Sequence, residues 1–291
     1  MGLALRLSRE PIFKAALWML VALSSFSLMA VAAKELSVSL GTAQILFFRS
    51  LIGLLLISAV VAVRGVGDLK IRCFKKHLGR NLAHFVGQYG WIYGLGFIPL
   101  AEVFALEFTV PIWTAIAATF LLNEPLSKTR VIAIALGLAG VMIILRPTAQ
   151  LIHPAALAVL VSAMAFGLSH TLTRSLVQHD APLAIIFYMC LIQLPLALLL
   201  SLGHWSMPSG SLWLWLLLIG ITAMSAHYSV SKALSYADAM VVIPMDFLRL
   251  PLIMLVGFFF YHETIDGFLL LGAALMLLAN YWGLRRERAA S

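Results

Sequence analysis

Apolar residues occupy most of this chain in runs of about twenty, each long enough to cross ~30 Å of hydrocarbon as an α-helix. Short polar connections separate the runs and leave no room for a soluble domain. Ten spans are predicted, at residues 13–33, 42–63, 79–97, 101–122, 129–146, 153–173, 182–202, 211–231, 239–260 and 264–284. The pattern therefore predicts an all-α polytopic membrane protein. Composition agrees, with 62% hydrophobic residues and a mean hydropathy of +1.01 over 291 residues.

The basic residues predict how the spans are oriented. With the amino terminus inside, 16 of the 20 Lys and Arg residues fall in cytoplasmic segments, Arg80 among them, and only Lys34 and Arg146 fall in outer loops. Cytoplasmic loops generally carry such an excess. Both termini are therefore predicted to be cytoplasmic, with the protein a multi-pass component of the bacterial inner membrane. Topology accounts for the net charge of +8, and no nucleic-acid-binding motif is present.

An internal repeat relates the two halves of the chain. A shift of 140 residues aligns 15–36 with 155–176, and a shift of 139 aligns 88–103 with 227–242 and 121–126 with 260–265. The last alignment matches Glu124 with Glu263. A constant offset over four helices indicates two copies of one unit, in residues 1–148 and 149–291.

The number of spans in each half predicts how the halves are arranged. Each half holds five spans, and because five is odd, the second half enters the membrane from the opposite side. The predicted fold is thus ten transmembrane helices, arranged as two inverted five-helix repeats around a central cavity. Inverted repeats are typical of secondary transporters, in which the substrate binds near the midplane between the halves.

Several local sequences add a family resemblance. They are "FFRSLIGLLL" with Arg49, the corners "YGLGFIPLAEVFALEFTVPIW" and "KALSYADAMVVIPMDFLRLP", and the glutamates before the glycine-rich spans in "NEPLSKTRVIAIALGLAGVMII" and "HETIDGFLLLGAALML". In these features the chain resembles the ten-helix EamA branch of the drug/metabolite transporter superfamily over nearly its whole length. The resemblance implies a transporter, and it implies export. One departure is Ala133, which stands where the second half has Gly272.

Charged residues inside the spans are the first candidates for a substrate site. A carboxylate at bilayer depth costs roughly 2.5 to 3.5 kcal/mol on insertion scales, so it is expected to face a partner or a wet cavity. The repeat places Glu107 and Asp246 at equivalent depth. Arg249, three residues after Asp246, lies on the same helical face and can pair with it. Pro111 breaks the helix beside Glu107, and Pro244 and Pro251 break it around Asp246.

Neutral polar residues are expected to complete the cavity. His84, Gln88 and Trp91 share one face of the third helix. His227 and Tyr228 occupy the positions equivalent to 88 and 89 in the second half. The remaining candidates for substrate binding or proton coupling are His170 and Arg49. Each of these residues also has a structural interpretation: the Asp246 and Arg249 pair as a buried bridge, the histidines as helix-to-helix hydrogen bonds, and Arg49 as a side chain bonded to carbonyl groups.

The function predicted from these features is secondary transport by alternating access, with export of a small zwitterionic or amphiphilic metabolite such as an amino acid. Proton coupling through Glu107 or Asp246 is part of that hypothesis. A nonselective channel or lipid scramblase is the alternative, and an intramembrane enzyme is a further one, although no catalytic residue set, metal site or cofactor motif is found. The partners are the substrate and the bilayer, with no nucleic acid. A monomer is expected, with a dimer as the alternative.

Overall fold

The helices of the protein are long and follow one another with short connections. The structure, a computed structural model, describes residues 2–123, 128–145, 153–236, 245–246 and 248–290. The helices are α1 (Gly2–Ser37), α2 (Thr42–Arg64), α3 (Phe74–Phe97), α4 (Leu100–Glu107), α5 (Val110–Leu122), α6 (Lys128–Leu145), α7 (Pro154–Leu176), α8 (Pro182–Ser201), α9 (Leu212–Tyr236), α10 (Arg249–Tyr261) and α11 (Gly267–Ala290). Short 3₁₀ helices lie at Val66–Leu69 and Leu202–His204. Glu124, Arg146 and Pro244 lie outside the described residues.

Six segments are long and apolar enough to cross a membrane. They are Ile12–Ser37, Thr42–Val63, Leu100–Leu121, Pro154–Leu176, Pro182–His204 and Leu212–Val230, with shorter apolar helices at Val131–Leu145, Arg249–Tyr261 and Gly267–Gly283. Helix α3 has 24 residues but is not among the six. Its buried residues include arginine, asparagine, histidine and glutamine, which lower its hydropathy. The number of ten spans stays a prediction.

The fourth predicted span is interrupted where Pro111 predicts a break. Helix α4 ends at Glu107, and α5 begins at Val110 with Pro111 in its first turn. A proline ring removes one backbone donor and clashes with the carbonyl four residues earlier, so a helix can begin at proline more easily than continue through it. In the second half, α10 begins at Arg249 with Pro251 in its first turn.

Helix boundaries in the two halves agree with the offset found in the sequence. Helix α5 spans 110–122 and α10 spans 249–261, so both ends differ by 139 residues. Each helix ends at a residue in the left-handed region, Asn123 at φ 55° and His262 at φ 53°. The cap N–H groups bond to Ala118 and Gly257, which again differ by 139. The bounds of α5 and α10 thus repeat at the predicted offset, while the two repeat units and their inverted orientation stay predictions.

Packing between the halves forms the bundle. Helix α1 packs on α9, α3 on α7, α2 on α8 and α6 on α11, and every pair joins one helix from each half. Under the 139-residue shift, the first two pairs are equivalent to each other. At the α6 to α11 contact a Cβ on Gly140 would lie 2.8 Å from the carbonyl oxygen of Gly272, so the backbones there approach as closely as glycine allows.

Candidate functional site

Helix α3 presents one polar face to the interior of the bundle. Its buried polar members are His77, Arg80, Asn81, His84 and Gln88, followed toward the other end by Trp91. At 1.5 Å of rise per residue, this face extends about 20 Å along the helix. We call these six residues the α3 polar face. It contributes groups to two polar clusters in the bundle and to a buried contact at one end of it.

The first cluster joins the two halves through an ion-pair network. Glu107 accepts a hydrogen bond of 2.8 Å from Trp91 Nε1 and one of 3.1 Å from Arg249 Nη2. Arg249 Nη2 also lies 3.3 Å from Asp246 Oδ2, in the pairing that the i, i+3 spacing predicts. Arg249 is therefore shared by the two acids that the repeat makes equivalent.

Helix ends explain why these charges meet. Glu107 is the last residue of α4, where the helix dipole disfavours an anion, and Arg249 is the first residue of α10, where the dipole disfavours a cation. Because α4 packs on α10, the two charges compensate each other. No residue of its own helix can pair with Glu107, and the partner that the structure shows lies 142 residues away in the chain.

Aromatic rings enclose the guanidinium group of Arg249. Its Cζ atom lies 4.9 Å from the ring centroid of Phe26, 5.1 Å from that of Phe104 and 5.9 Å from that of Phe108. Arginine over an aromatic face is a favourable arrangement that strengthens when water is excluded. The first cluster therefore combines paired charges with flat apolar surfaces.

The second cluster lies about one turn further along α3. Arg49 donates a hydrogen bond to Gln88 Oε1, and its Nε is buried with no hydrogen-bond partner in the described part of the chain. His84 Nδ1 accepts a bond of 3.1 Å from Gln193 Nε2. Gln193, on α8, was not predicted from the sequence, because a single glutamine in an apolar helix has no local signal that distinguishes it.

Arg80 is part of helix α3 and its side chain is buried within the bundle. Its assignment to the cytoplasmic side stays a prediction. Its Nε donates a 3.1 Å bond to Thr173 Oγ1, and its Nη1 donates a 2.7 Å bond to Asn81 Oδ1. The signal available in the sequence was its position four residues before His84, which places both on one helical face.

The other histidine candidates lie close to the second cluster. The rings of His84 and His227 are 6.1 Å apart, and His227 also contacts Phe26. His84 contacts Phe166, which stacks on His170. Tyr228 lies apart from them, because it is exposed and packs against Trp18 on the outside of the bundle. The structure therefore brings His84, His170 and His227 together but does not place Tyr228 with them.

Polar contacts hold the bundle at the end that carries Lys34. Lys34 Nζ lies 2.9 Å from Glu263 Oε1, and both carboxylate oxygens of Glu263 accept from the backbone N–H of Leu100, the first residue of α4. Tyr261 donates a 2.7 Å bond to Glu35. These contacts connect α1, α4 and the segment after α10.

A different contact lies at the opposite end. His77 Nε2 donates to Asp180 Oδ2 at 2.8 Å, with both side chains buried, and the backbone N–H of Arg72 donates to the same carboxylate. Burial raises the pKa of Asp180, but the hydrogen bonds from His77 and Arg72 outweigh it, so the pKa lies below its ordinary value of 3.8. The link joins the first turn of α3 and the connection before it to the connection before α8.

Exposure along α7 changes from one end of the bundle to the other. On its inward face Val159 and Ala163 are fully buried, Phe166 is half-buried and His170 is exposed. The lipid-facing stripe of α7 is Leu157, Val161, Met164 and Leu168. His170 lies on the opposite side of the helix from that stripe. Its exposed ring therefore faces an interior space on the His77 and Asp180 side of the bundle.

Comparison with protein families identifies the class of this protein. The chain belongs to the EamA-like transporter family, whose model matches residues 13–146 and again residues 153–282. The family and the relatives below are transporters and not enzymes, so the predicted resemblance is confirmed and the chain is a multi-pass membrane protein. A solved crystal structure has a TM-score of 0.67 over 94% of this chain and 98% of that chain, at 20% identity, which shows the fold alone.

Named relatives cover almost the full chain. It is 31% identical to a riboflavin transporter of Vibrio cholerae over 94% of this chain and 95% of that protein. It is 32% identical to a riboflavin transporter of Rhizobium johnstonii, over 94% and 91%. An S-adenosylmethionine uptake transporter of Rickettsia felis is 26% identical, over 94% and 93%.

Proposed function

We propose that this protein is a secondary transporter that moves a planar, acceptor-rich metabolite of the flavin type by alternating access between its halves. The observation that carries the proposal is the balance of charge. Arg49 and Arg80 contact no acid in the described part of the chain, whereas Glu107 and Asp246 are both paired with Arg249. Three buried cations against two carboxylates suit a neutral or anionic substrate that offers carbonyl oxygens.

The aromatic surroundings support the same substrate class. Phe26, Phe104 and Trp91 lie around the Glu107 and Arg249 pair, and Phe166 lies beside His84. A flat ring system gains contact area against such side chains, and stacked or edge contacts are favourable beyond simple burial. Two relatives above 30% identity are named as riboflavin transporters, which supports riboflavin as the specific compound.

The zwitterionic substrate expected from the sequence is the second candidate. An amino-acid-type molecule could exchange with the pair, its ammonium group bonding Glu107 and its carboxylate bonding Arg249. Relatives named for S-adenosylmethionine uptake and for pseudopaline export favour this candidate. Against it, the sulfonium cation of S-adenosylmethionine would meet a surplus of positive charge.

Alternating access also assigns a state to this structure. Contacts of Lys34, Glu263 and Leu100 close one end, while the interior face of α7 becomes exposed toward the other end at His170. With both termini cytoplasmic, as proposed from the basic residues, the closed end is the outer one. The conformation is then open to the cytoplasm.

Counterflow in proteoliposomes tests the function. Liposomes loaded with unlabelled riboflavin should accumulate labelled riboflavin transiently above its equilibrium level, because a carrier exchanges substrate across two alternating sites. A channel or a scramblase would give no such overshoot. Uptake of labelled S-adenosylmethionine, without any effect of riboflavin, would instead favour the second candidate. Right-side-out and everted vesicles, compared under one gradient, test export as the direction.

Replacement of Glu107 tests whether this residue couples transport to protons. Glu107→Gln keeps the size of the side chain and removes the charge, so we expect transport to fall about tenfold or more and to lose its dependence on pH between 5.5 and 8, a range that brackets the usual tuning of a coupling carboxyl group. The measurement is initial rate against pH at matched protein level. Unchanged rates at every pH would remove the assigned role of Glu107.

A further inference from the structure

Two arginines of the predicted spans are buried in the bundle and bond no acid in the part of the chain that the structure describes. Arg49 is 4% exposed and Arg80 is 7% exposed. Their bonds in the described part of the chain go to neutral groups: Gln88 for Arg49, and Thr173 and Asn81 for Arg80. Unpaired charge at this depth is costly and is expected to mark a functional site.

Both arginines lie at the α3 polar face: Arg80 belongs to it, and Arg49, on α2, bonds to it. Gln88, the partner of Arg49, lies two turns after Arg80 on the α3 polar face, with His84 between them. The Nε of Arg49 is buried and has no partner among the described residues. Phe166 packs against His84 and stacks on His170, whose ring faces the interior space. A molecule that enters past His170 would therefore reach the region between the two arginines.

We propose that Arg49 and Arg80 form a substrate subsite that binds acceptor oxygens of the transported molecule. The inference rests on the proposed transport function and extends it from the Glu107 and Arg249 pair to a second position, nearer the His77 and Asp180 end. A guanidinium group has five N–H donors and no acceptor, so it pairs with carbonyl or carboxylate oxygens. These oxygens come from the ring carbonyl groups of a flavin or from the carboxylate of an amino-acid-type substrate.

Sulfur substitution in the substrate tests direct contact. A thiocarbonyl group accepts a hydrogen bond more weakly than a carbonyl group, so the wild-type protein should transport riboflavin with a KM at least fivefold lower than those of 2-thioriboflavin and 4-thioriboflavin. In Arg49→Gln and Arg80→Gln the KM for riboflavin should rise about tenfold, which corresponds to about 1.4 kcal/mol, and at least one thio analogue should no longer be distinguished from riboflavin. Arg→Lys variants should recover part of the affinity.

Lys75→Gln is the matched control, because it removes a positive charge from an exposed position on the same helix. Its KM values should equal those of the wild-type protein. Gel filtration and thermal unfolding in detergent identify variants that fail to fold. In that case the same KM values are measured with Arg49→Lys and Arg80→Lys. If folded Arg49 and Arg80 variants keep the wild-type KM, or lose affinity for riboflavin and both thio analogues equally, the subsite is rejected.

A second pair of substrates distinguishes failure of the subsite from failure of the proposed transport function. If the wild-type protein transports S-adenosylmethionine and not riboflavin, the comparison is made with decarboxylated S-adenosylmethionine, and the arginine variants should lose discrimination between these two. If neither compound is transported, the flavin proposal fails. The subsite is then tested by thermal stabilisation with benzoate against benzamide, and it is rejected if benzoate gives no shift that Arg49→Gln or Arg80→Gln removes.

Discussion

The two halves of this transporter each match the same family model but differ in chemistry. The charged and polar residues of the first half, Arg49, Arg80, His84 and Trp91, have apolar residues at the equivalent positions of the second half: Met189, Ile219, Ala223 and Val230. An acid is kept at one position, as Glu107 in the first half and Asp246 in the second. Its arginine partner occurs once, because Arg249 corresponds to Val110. In the proposed mechanism the repeat supplies the scaffold that alternates between states, and single positions within it supply an asymmetric candidate site.

The largest effect is expected from moving that arginine between the halves. Arg249→Val leaves Glu107 and Asp246 near each other with no cation, and breaking a buried pair in this way typically costs about 3 to 5 kcal/mol. We expect loss of transport and a lower yield of folded protein. Addition of Val110→Arg at the equivalent position should recover folded protein if the halves are related as proposed. The measurements are yield after gel filtration and riboflavin counterflow.

The control for this exchange is Ile253→Val, a conservative change of a buried residue in the same helix, which should leave both measurements near wild type. Recovery of yield without transport would show that symmetry governs the fold while Arg249 itself serves the substrate. A Val110→Arg, Arg249→Val protein no more stable than Arg249→Val alone would contradict the equivalence of the two positions.

An intermediate effect is expected at the Lys34 end, where Glu263 bonds both Lys34 and Leu100 of the other half. Glu263→Gln removes the bridge to Lys34 and weakens two bonds to the N–H of Leu100. We expect an impermeant maleimide to label a cysteine placed at Ser37 several-fold faster, in a background with Cys73 and Cys190 replaced. The bridge is partly exposed, so its stabilising contribution is modest, on the order of 1 kcal/mol or less.

Lys34→Gln should have the same effect on labelling, and the double variant should add little, because both changes remove one interaction. If labelling in Glu263→Gln equals that of the parent protein, the contact does not hold this end closed. Transport rate, measured in parallel, shows whether opening this end is slow enough to limit turnover.

The smallest effect is expected from the link at the opposite end. Because the pKa of Asp180 is lowered in the folded protein, its stabilising contribution is fully present above the ordinary value of 3.8 and is lost as pH falls through the lower folded value. Asp180→Asn should therefore lower Tm by a few degrees at pH 5 to 8, a shift of the size that ~1 kcal/mol gives, and the difference should shrink below about pH 4. A Tm difference that grows as pH falls would contradict this assignment of the pKa.

Local features of the chain were readable because their causes are local. Pro111 removes a donor within its own helix, so the break after Glu107 could be predicted without any tertiary contact. Asp246 and Arg249 are three residues apart, and their pairing follows from helical spacing. The constant offset of 139 also reappears in the bounds of α5 and α10, since similar local sequences form similar helices.

Contacts between distant segments were not readable in the same way. Arg80 was counted with the cytoplasmic residues, because the loop before it is basic and the positive-inside rule takes no account of helix packing. Gln193 and Phe166 gave no signal until α8 and α7 were placed against α3. Tyr228 was expected beside His227, but adjacent residues on a helix point about 100° apart, and the structure turns the tyrosine outward.

The sequence by itself determined that this protein lies in a lipid bilayer and that its secondary structure is helical. About 20 consecutive apolar residues can satisfy their backbone groups in lipid only as helices. It also determined the family and the positions at which helices break. Only the tertiary structure decided which charges neutralise one another. Glu107 takes its cation from the other half of the chain, while Arg49 and Arg80 bond only neutral groups among the described residues. Coulomb energy depends on distance in space and on burial, and sequence separation fixes neither.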